Sequence, residues 1–371
     1  MKTPRPAAAK SDIAMATRRY EAWVARQTPP VADDFALKHA RMATTPFFFL
    51  RASFYRWAQR WPKVCPALAE APHRLAVGDL HIENFGTWRD SEGRLVWGIN
   101  DFDEAFPMPY TNDLVRLATS ALLAAREGAL AITAHKTCAA ILDGYRAGIA
   151  SGGRPFILEK EHRWLRQLAL GELRDPAAFW GRLESLPDCA HAPPRKVAKF
   201  LAAALPEPGL EFRLVHRVAG VGSLGRRRFV ALAEWRGGSV AREAKVLTKS
   251  AYGWATGVTR SDKIYYKKIL RHAIRCPDPS VEIRGDWLIR RLAPDCSRIE
   301  LTAIAKRTNE ANLLHAMGRE TANIHLGSGA AGAVGRDLAR RRRGWLAEAA
   351  TAMEAATIAD WKAWKRSRPA R

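Results

Sequence analysis

An α+β fold is what the sequence predicts, and three observations carry it. Apolar residues recur at three- and four-residue spacing through 12–60 and return to that spacing from 302 onward. Between 211 and 292 apolar and polar residues alternate in short runs, as in half-buried strands. The two patterns occupy separate stretches of the chain, so the expected plan is helical and mixed first, a small antiparallel sheet second, and helices last. Divided accordingly, the chain has an N-terminal helical segment (1–75), a mixed part (76–208), a small sheet lobe (209–300) and closing helices with a basic tail (301–371).

The elements follow in order. Pro29-Pro30 and Pro46 interrupt the first helical stretch. A short strand is expected over 74–77 and a polar loop over 78–86. A hairpin should then run through 85–89 and 94–99, turning at Asp90-Ser91-Glu92-Gly93. A Pro-rich link, 106–110, leads to a long Ala- and Leu-rich helix over 112–126, with further helices over 129–149, 158–168 and 196–204. The Pro/Glu/Gly break at 206–209 is the best domain boundary. Strands are expected beyond it at 211–218, 227–235, 240–247, 281–284 and 287–292, then helices over 302–326 and 333–365. No internal repeat is visible.

Composition bounds the function. Sixty Lys and Arg against 37 Asp and Glu give a net charge of +23 on 371 residues. With 47% hydrophobic residues and 13 Trp, the chain can bury a core, which excludes wholesale disorder. No apolar run approaches the roughly 18–20 residues that span a bilayer, and the basic start MKTPRPAAAKSD lacks the apolar centre of a secretory signal. Five scattered cysteines without a CxxC pair fit a reduced, cytoplasmic setting. The positive balance favours anions in general, nucleotides and nucleic acids among them, without choosing. Basic clusters at 226–228, 340–343 and 362–371 read as solvated surface, and no zinc-finger, RNA-binding or basic-zipper signature accompanies them.

The densest polar cluster is GDLHIENFG at 78–86, followed by NDFDE at 100–104. Asp79 and Asn84 stand in D-x-x-x-x-N spacing, and a hairpin then delivers the acidic pair Asp101 and Asp103. Phosphoryl transfer needs such a set, because its transition state requires positioning and charge neutralisation more than covalent help. One carboxylate orients or deprotonates the acceptor hydroxyl; an Asn and a second carboxylate supply hard oxygen ligands for Mg²⁺. Isolated, these residues would simply cap turns; their order of strand, polar loop, hairpin, acidic loop and the Asn112-Asp113-Leu114 helix start favours chemistry. His81 and Glu83 do not make a zinc site, since no second His lies at a ligand spacing.

The string GDLHIENFG, NDFDE, DLVRLA resembles the aminoglycoside and choline kinase branch of the protein-kinase-like fold. The resemblance implies Asp79 as catalytic base, Asn84 and Asp101 as metal ligands, and Asp113 as a support for the loop, with ATP and Mg²⁺ as cofactors. The stretch from Asn84 to Asp101 is longer than in that branch, which leaves Asp101 and Asp103 both open as the metal ligand. The wording NFG and NDFDE is similar to a bacterial domain-of-unknown-function 2252 family, over about 77–326, which supplies no substrate.

A kinase-like protein needs a small sheet with a Gly-rich loop, and none precedes residue 75. The pattern G-x-G-x-x-G appears afterwards as Gly220, Gly222 and Gly225, with Ser223 between them. Strand-like stretches flank it, as in a phosphate-covering loop between two strands; a dinucleotide fingerprint would open a helix. On the 240–247 strand the phosphate-pairing candidates are Lys245 and Arg242, which alternation puts on opposite faces. The family likeness favours Arg242 and the chemistry favours lysine. No Glu stands in 261–272 to pair that lysine, leaving Glu243 or a residue elsewhere. The helix carrying His315, Gly318 and His325 resembles the one that normally leads into the catalytic loop, and it too comes late. A circularly permuted kinase-like fold is therefore expected: catalytic half, then nucleotide lobe, then connecting helix.

The expected function is ATP- and Mg²⁺-dependent phosphoryl transfer to an unidentified hydroxyl-bearing acceptor, with an anionic acceptor suited to the charge. Two alternatives stand beside it. One is nucleotidyl (AMP) transfer or a nucleotide-binding pseudokinase on the same fold; the other is a basic nucleic-acid-binding protein whose acidic loops are structural.

Overall fold

The computed structural model describes residues 12–169, 175–258, 263–296, 309–329 and 331–367. The basic tail beyond 367 and the 302–308 part of the expected late helix lie outside the described residues.

Helices α1 (Asp12–Ala25), α2 (Ala32–Thr44), α3 (Pro46–Ala52) and α4 (Phe54–Val64) open the chain; the first two breaks fall where the prolines foretell, and a third, at Ser53, has no proline to mark it. The Thr45 side chain accepts from the Phe48 amide at 3.2 Å with Pro46 at the first helical position, so the second break doubles as a cap. After the short α5 (Pro66–Ala69), β1 (His73–Ala76) pairs antiparallel with β4 (Phe106–Pro109). This corrects the expectation of a plain link at 106–110. Pro107 and Pro109 are tolerated because β1 and β4 form a two-stranded sheet in which both strands are edges. The expected hairpin is present as β2 (Phe85–Arg89) and β3 (Leu95–Ile99), with the two-residue β5 (Phe156–Ile157) added to β3.

From Tyr110 to Ala124 every residue of α6 (Tyr110–Arg126) is buried, so this helix is the axle of the larger core. Helix α7 (Ala134–Ser151) starts later than the expected 129 and is capped by Thr133, whose side chain accepts from the Lys136 amide. Short helices α8 (Arg163–Ala169), α9 (Pro176–Glu184) and α10 (Arg195–Ala204) follow. The sequence reading missed α9, although the Asp175 cap and Pro176 at its first position announce it.

The small sheet is antiparallel in the order β6-β7-β8-β10-β9: β6 (Arg213–Val215), β7 (Arg228–Trp235), β8 (Gly238–Val246), β9 (Glu282–Arg284) and β10 (Trp287–Leu292). Strand β6 is shorter than the expected 211–218. Val197 and Leu201 of α10 cover one face with Phe229, Ala244 and Trp287; Leu183 of α9 covers the other with Val230 and Leu232. The connector after β8 contains α11 (Ala251–Thr256) and α12 (Tyr266–His272).

Helix α13 (Glu310–Leu326) crosses α7 at close range. A Cβ on Gly144 would lie 1.9 Å from the His315 carbonyl oxygen, and one on Gly318 would lie 2.1 Å from that of Ile141. Only glycine at both positions lets the backbones approach this far. The single helix expected over 333–365 is two, α14 (Gly332–Arg340) and α15 (Trp345–Arg366), broken before Gly344 at φ +83°. A bidentate pair, Arg56 Nε and Nη2 to Asp360 at 2.8 and 3.0 Å, ties α15 to α4. No helix among the described residues is long and apolar enough to cross a membrane.

Candidate active site

The polar loop after β1 is held from behind. Asp113, one turn into α6, accepts from the backbone amides of Val77 and Gly78 at 2.7 and 2.9 Å. His325 of α13 donates or accepts through Nε2 at 3.0 Å on the same carboxyl, with its Nδ1 2.9 Å from the Tyr145 hydroxyl. All of these side chains are buried, so the loop start is fixed by a dry network. Gly78, at φ +83°, is where the two functional loops touch: a Cβ there would lie 2.5 Å from the Glu104 carbonyl.

Asp79 projects into the cleft with its Oδ1 gripped by Arg116, whose Nε lies at 3.0 Å and whose Nη2 also bonds it. Arg116 is wholly buried, sandwiched against the Phe54 and Trp57 rings at 5.0 and 4.9 Å, and donates to the Leu50 carbonyl at 2.8 Å. Burial pushes the Asp79 carboxyl above its ordinary value, against the lowering influence of Arg116. Arg116 was not among the candidates from sequence. Its signal was present: it stands one helical turn after Asp113, on the same face of α6. Asn84 Nδ2 donates to the carbonyls of Asp79 (3.3 Å) and Asp101 (3.1 Å), so its amide joins the two loops and leaves Oδ1 as the atom able to meet a cation.

Lys245 links the sheet to the acidic loop. Its Nζ lies 3.3 Å from Asp101 Oδ2 and 2.5 Å from Asp103 Oδ2, and its side chain is only 2% exposed. The two carboxylates differ. Asp101 is 38% exposed toward the cleft, whereas Asp103 is 9% exposed and also faces Arg226 Nη1 at 3.6 Å. Burial alone would raise Asp101, but the Lys245 ammonium holds it below the ordinary carboxylate range; burial and the Asp101 charge push Asp103 up. Arg226 continues the chain of charges to Glu104 at 3.2 Å and to the Tyr20 hydroxyl at 3.0 Å. Arg242 is on the other face of β8, with Nε donating to the Ala204 carbonyl at 2.6 Å, and does not reach the cleft. Glu243 does not pair with Lys245; it is ringed by arginines.

The Gly-rich loop joins neighbouring strands β6 and β7 and folds into a 3-10 turn at Val221–Ser223. Its middle lies over Asp79: a Cβ on Gly222 would sit 3.2 Å from Asp79 Oδ2 and 3.1 Å from the Arg51 carbonyl. Ser223 Oγ donates to the Gly220 carbonyl at 3.3 Å, closing the loop on itself. Gly225 serves another purpose. At φ +90° it lies under the Phe35 ring and accepts from the Val31 amide at 3.0 Å, docking the loop on α2. Lys38 of α2, also absent from the sequence candidates, donates to the Gly222 carbonyl at 3.1 Å, and burial brings its ammonium down to about 8.

Asp79, Asn84, Asp101, Asp103, Lys245 and the turn from Gly220 to Ser223 line one cleft of about 2530 Å³ between the helical core and the small sheet. Among the described residues no cluster of three or more His, Cys, Asp or Glu is arranged as a metal cage. The oxygen donors that are present, Asp101 and Asn84 with Asp103 behind them, match the other mode of Mg²⁺ binding, in which one or two carboxylates act together with substrate phosphates.

No curated protein and no solved structure matches the chain. The likeness expected over about 77–326 is found over a different span, which begins earlier and ends well before the Gly-rich loop and Lys245. Residues 30–175, which carry Lys38, Asp79, Asn84, Asp101, Asp103 and Arg116, match the model of a family described as uncharacterized proteins conserved in bacteria (DUF2252).

Proposed function

We propose that the chain is an ATP- and Mg²⁺-dependent phosphotransferase of protein-kinase-like, circularly permuted fold, acting on a hydroxyl-bearing acceptor. One observation carries the reading. Three motifs far apart in sequence meet in one cleft: Gly222 against Asp79 Oδ2, Lys245 against Asp101 and Asp103, and Asn84 between the two acidic loops. A set of turn-capping residues has no reason to converge in this way. Support for the permutation comes from the order of elements, with the 79–103 loops first, the sheet and its loop second, and α13 last, braced on Asp113 through His325.

In this reading Asp79 Oδ2 takes the proton of the acceptor hydroxyl while Arg116 fixes the carboxylate through Oδ1. Asp101 is the metal ligand of the acidic pair, because its edge faces the cleft, and Asn84 Oδ1 is its companion. Bound there, Mg²⁺ would neutralise charge on the nucleotide phosphates. Asp103 is a positioning residue that holds Lys245. Lys245, not Arg242, is the phosphate-pairing residue. The Gly220–Gly225 loop covers the phosphates with backbone amides.

Isothermal titration of ATP with and without Mg²⁺, on wild type and Asp101→Ala, tests the reading. Metal-dependent binding in wild type that disappears in Asp101→Ala is expected; its absence in wild type overturns the proposal. Labelled ATP then separates transfer of the γ-phosphate from transfer of AMP.

A further inference from the structure

The sheet wall of the cleft carries a charge imbalance that the proposed chemistry does not use. Glu243, in β8 and 0% exposed, is approached by three guanidinium groups. Arg217 Nη1 lies at 2.8 Å, Arg228 Nη1 at 2.6 Å, and Arg290 at 2.7 Å through Nε and 2.6 Å through Nη2. Strand register explains the convergence. Arg290 of β10 stands opposite Glu243, and Arg228 of β7 stands opposite Lys245, two residues further along the same face of β8.

Lys245 takes no share of Glu243, being occupied by Asp101 and Asp103. Three guanidiniums thus divide one carboxylate; counted with Lys245 against Asp101 and Asp103, whose charge also reaches Arg290, the wall sets four cations against three carboxylates and keeps one positive charge in surplus. An uncompensated charge in such a place is costly unless something neutralises it. Burial, with Arg228 and Arg290 and against Glu243, holds Arg217 below its ordinary guanidinium value, whereas Glu243, Tyr266 and Asp101 hold Arg290 above its own against burial. Arg217 and Arg290 keep 29% and 25% of their side chains exposed, and both line the cleft. The cluster is also wired to the Gly-rich loop, because Arg228 Nη2 donates to the Ala219 carbonyl at 3.1 Å and to Ser223 Oγ at 3.2 Å.

We infer that Arg217, Arg228 and Arg290, organised by Glu243, form a metal-independent polyphosphate-binding cluster that takes the phosphate chain of a nucleotide. Planar guanidinium forks suit phosphate oxygens, and a negatively charged chain offsets the surplus. Only the naming of a nucleotide as the source rests on the function proposed above. The cluster itself follows from the charge count and the geometry.

The test uses the full chain and inorganic tripolyphosphate, titrated calorimetrically in EDTA with no added metal. Wild type binds; Arg217→Ala and Arg290→Ala each weaken binding by about tenfold or more, the scale of one charge-assisted bond. Arg126→Ala, an exposed cation paired with Glu354 far from the cleft, keeps wild-type affinity. Melting curves separate binding from a purely structural role. Tripolyphosphate raises the wild-type Tm but leaves that of Arg290→Ala where it stands without ligand. A lower Tm in Arg290→Ala with the ligand-induced rise intact overturns the inference, as does absence of metal-free binding in wild type. Competition by ATP identifies the nucleotide as the source, whereas simultaneous binding of ATP and tripolyphosphate overturns that assignment. Asp101→Ala, which probes the phosphotransfer reading, does not weaken metal-free binding, so either proposal can fail without the other.

Discussion

Gly222 lies against Asp79, so close that a Cβ on the glycine would sit 3.2 Å from Oδ2 of the carboxylate. The contact joins residues 143 positions apart and sets what a larger side chain would do. In Gly222→Val the loop must lift, since its other near neighbour is the Arg51 backbone and cannot rotate away. If overpacking of about 1–3 kcal/mol falls on the closed loop, Mg²⁺-ATP affinity drops roughly tenfold while the Tm stays near wild type. Gly225→Ala is expected to do the reverse, lowering the Tm, because φ is +90° and the Phe35 ring fills the space. Equal ATP affinity in Gly222→Val and wild type, read by titration, would separate the loop from the nucleotide.

Arg116 and Asp79 form a charge pair on the helical side of the cleft. Truncating Arg116 to Ala strands a mostly buried carboxylate and frees the Leu50 carbonyl, at an expected cost of about 3–5 kcal/mol. Adding Asp79→Asn should recover part of that loss, since a neutral amide tolerates the site better than a lone charge. Urea unfolding of both single variants and the double variant measures the coupling. Strict additivity would mean that the pair contributes nothing.

The two acidic-loop aspartates should separate in their effects. Asp101 faces the cleft, while Asp103 is covered and holds Lys245 and Arg226. Asp101→Asn is expected to abolish the Mg²⁺ dependence of ATP binding and to cost some stability, because the Lys245 ammonium favours its charged form. Asp103→Asn should retain a Mg²⁺ response but lower the Tm, because Lys245 loses its nearer partner. Titration with and without Mg²⁺, combined with melting curves, checks both, and reversed roles for the two would refute the assignment.

How much of this was legible in the sequence depends on where the partners lie. The loops at 78–86 and 100–104 were readable because their polar residues are neighbours in the chain, and the hairpin between them follows its turn residues. Lys245 and Arg242 could not be told apart, since a period of two assigns opposite faces without saying which one points inward. Register decides it: Lys245 lies across from Arg228 and Leu288, above the acidic loop, while Arg242 turns to the end of α10. Lys38 and the arginines around Glu243 were hidden because each owes its place to a partner on a distant element. Strand β4 was hidden by its prolines, which are permitted only because the strand pairs on one side.

Gly318 gives a case where local and tertiary preferences oppose each other. Helix propensity alone predicts that Gly318→Ala stabilises by about 1 kcal/mol. A Cβ at this position would lie 2.1 Å from the Ile141 carbonyl and 2.9 Å from the Tyr145 amide, so α7 and α13 must separate. The backbone term wins. The variant is expected to lose about 2 kcal/mol or more and several degrees of Tm, with added disturbance at His325, seven residues along α13, and so at Asp113. An unchanged or raised Tm would show that the helices can part at no cost.

Glu320 makes the stability of the site dependent on pH. The side chain is 1% exposed, accepting from the Ile99 amide at 3.2 Å and from Asn323 Nδ2 at 2.9 Å, behind the strand that delivers Asp101. Burial raises its carboxyl from the usual 4.5 to about 7, although Arg275, Asn323 and the Ile99 amide all favour the charged form. The folded protein therefore keeps a proton between those values that the unfolded chain has released. The stabilisation is fully present below pH 4.5 and is lost as the pH rises through 7. Over that window the loss amounts to about 3 kcal/mol at 1.36 kcal/mol per unit. Glu320→Gln cannot ionise, so its stability relative to wild type should climb steadily from pH 5 to 7 and then level off. Urea unfolding of both proteins across pH 5–8 measures the difference, and a difference that does not vary with pH would mean that Glu320 titrates near its ordinary value.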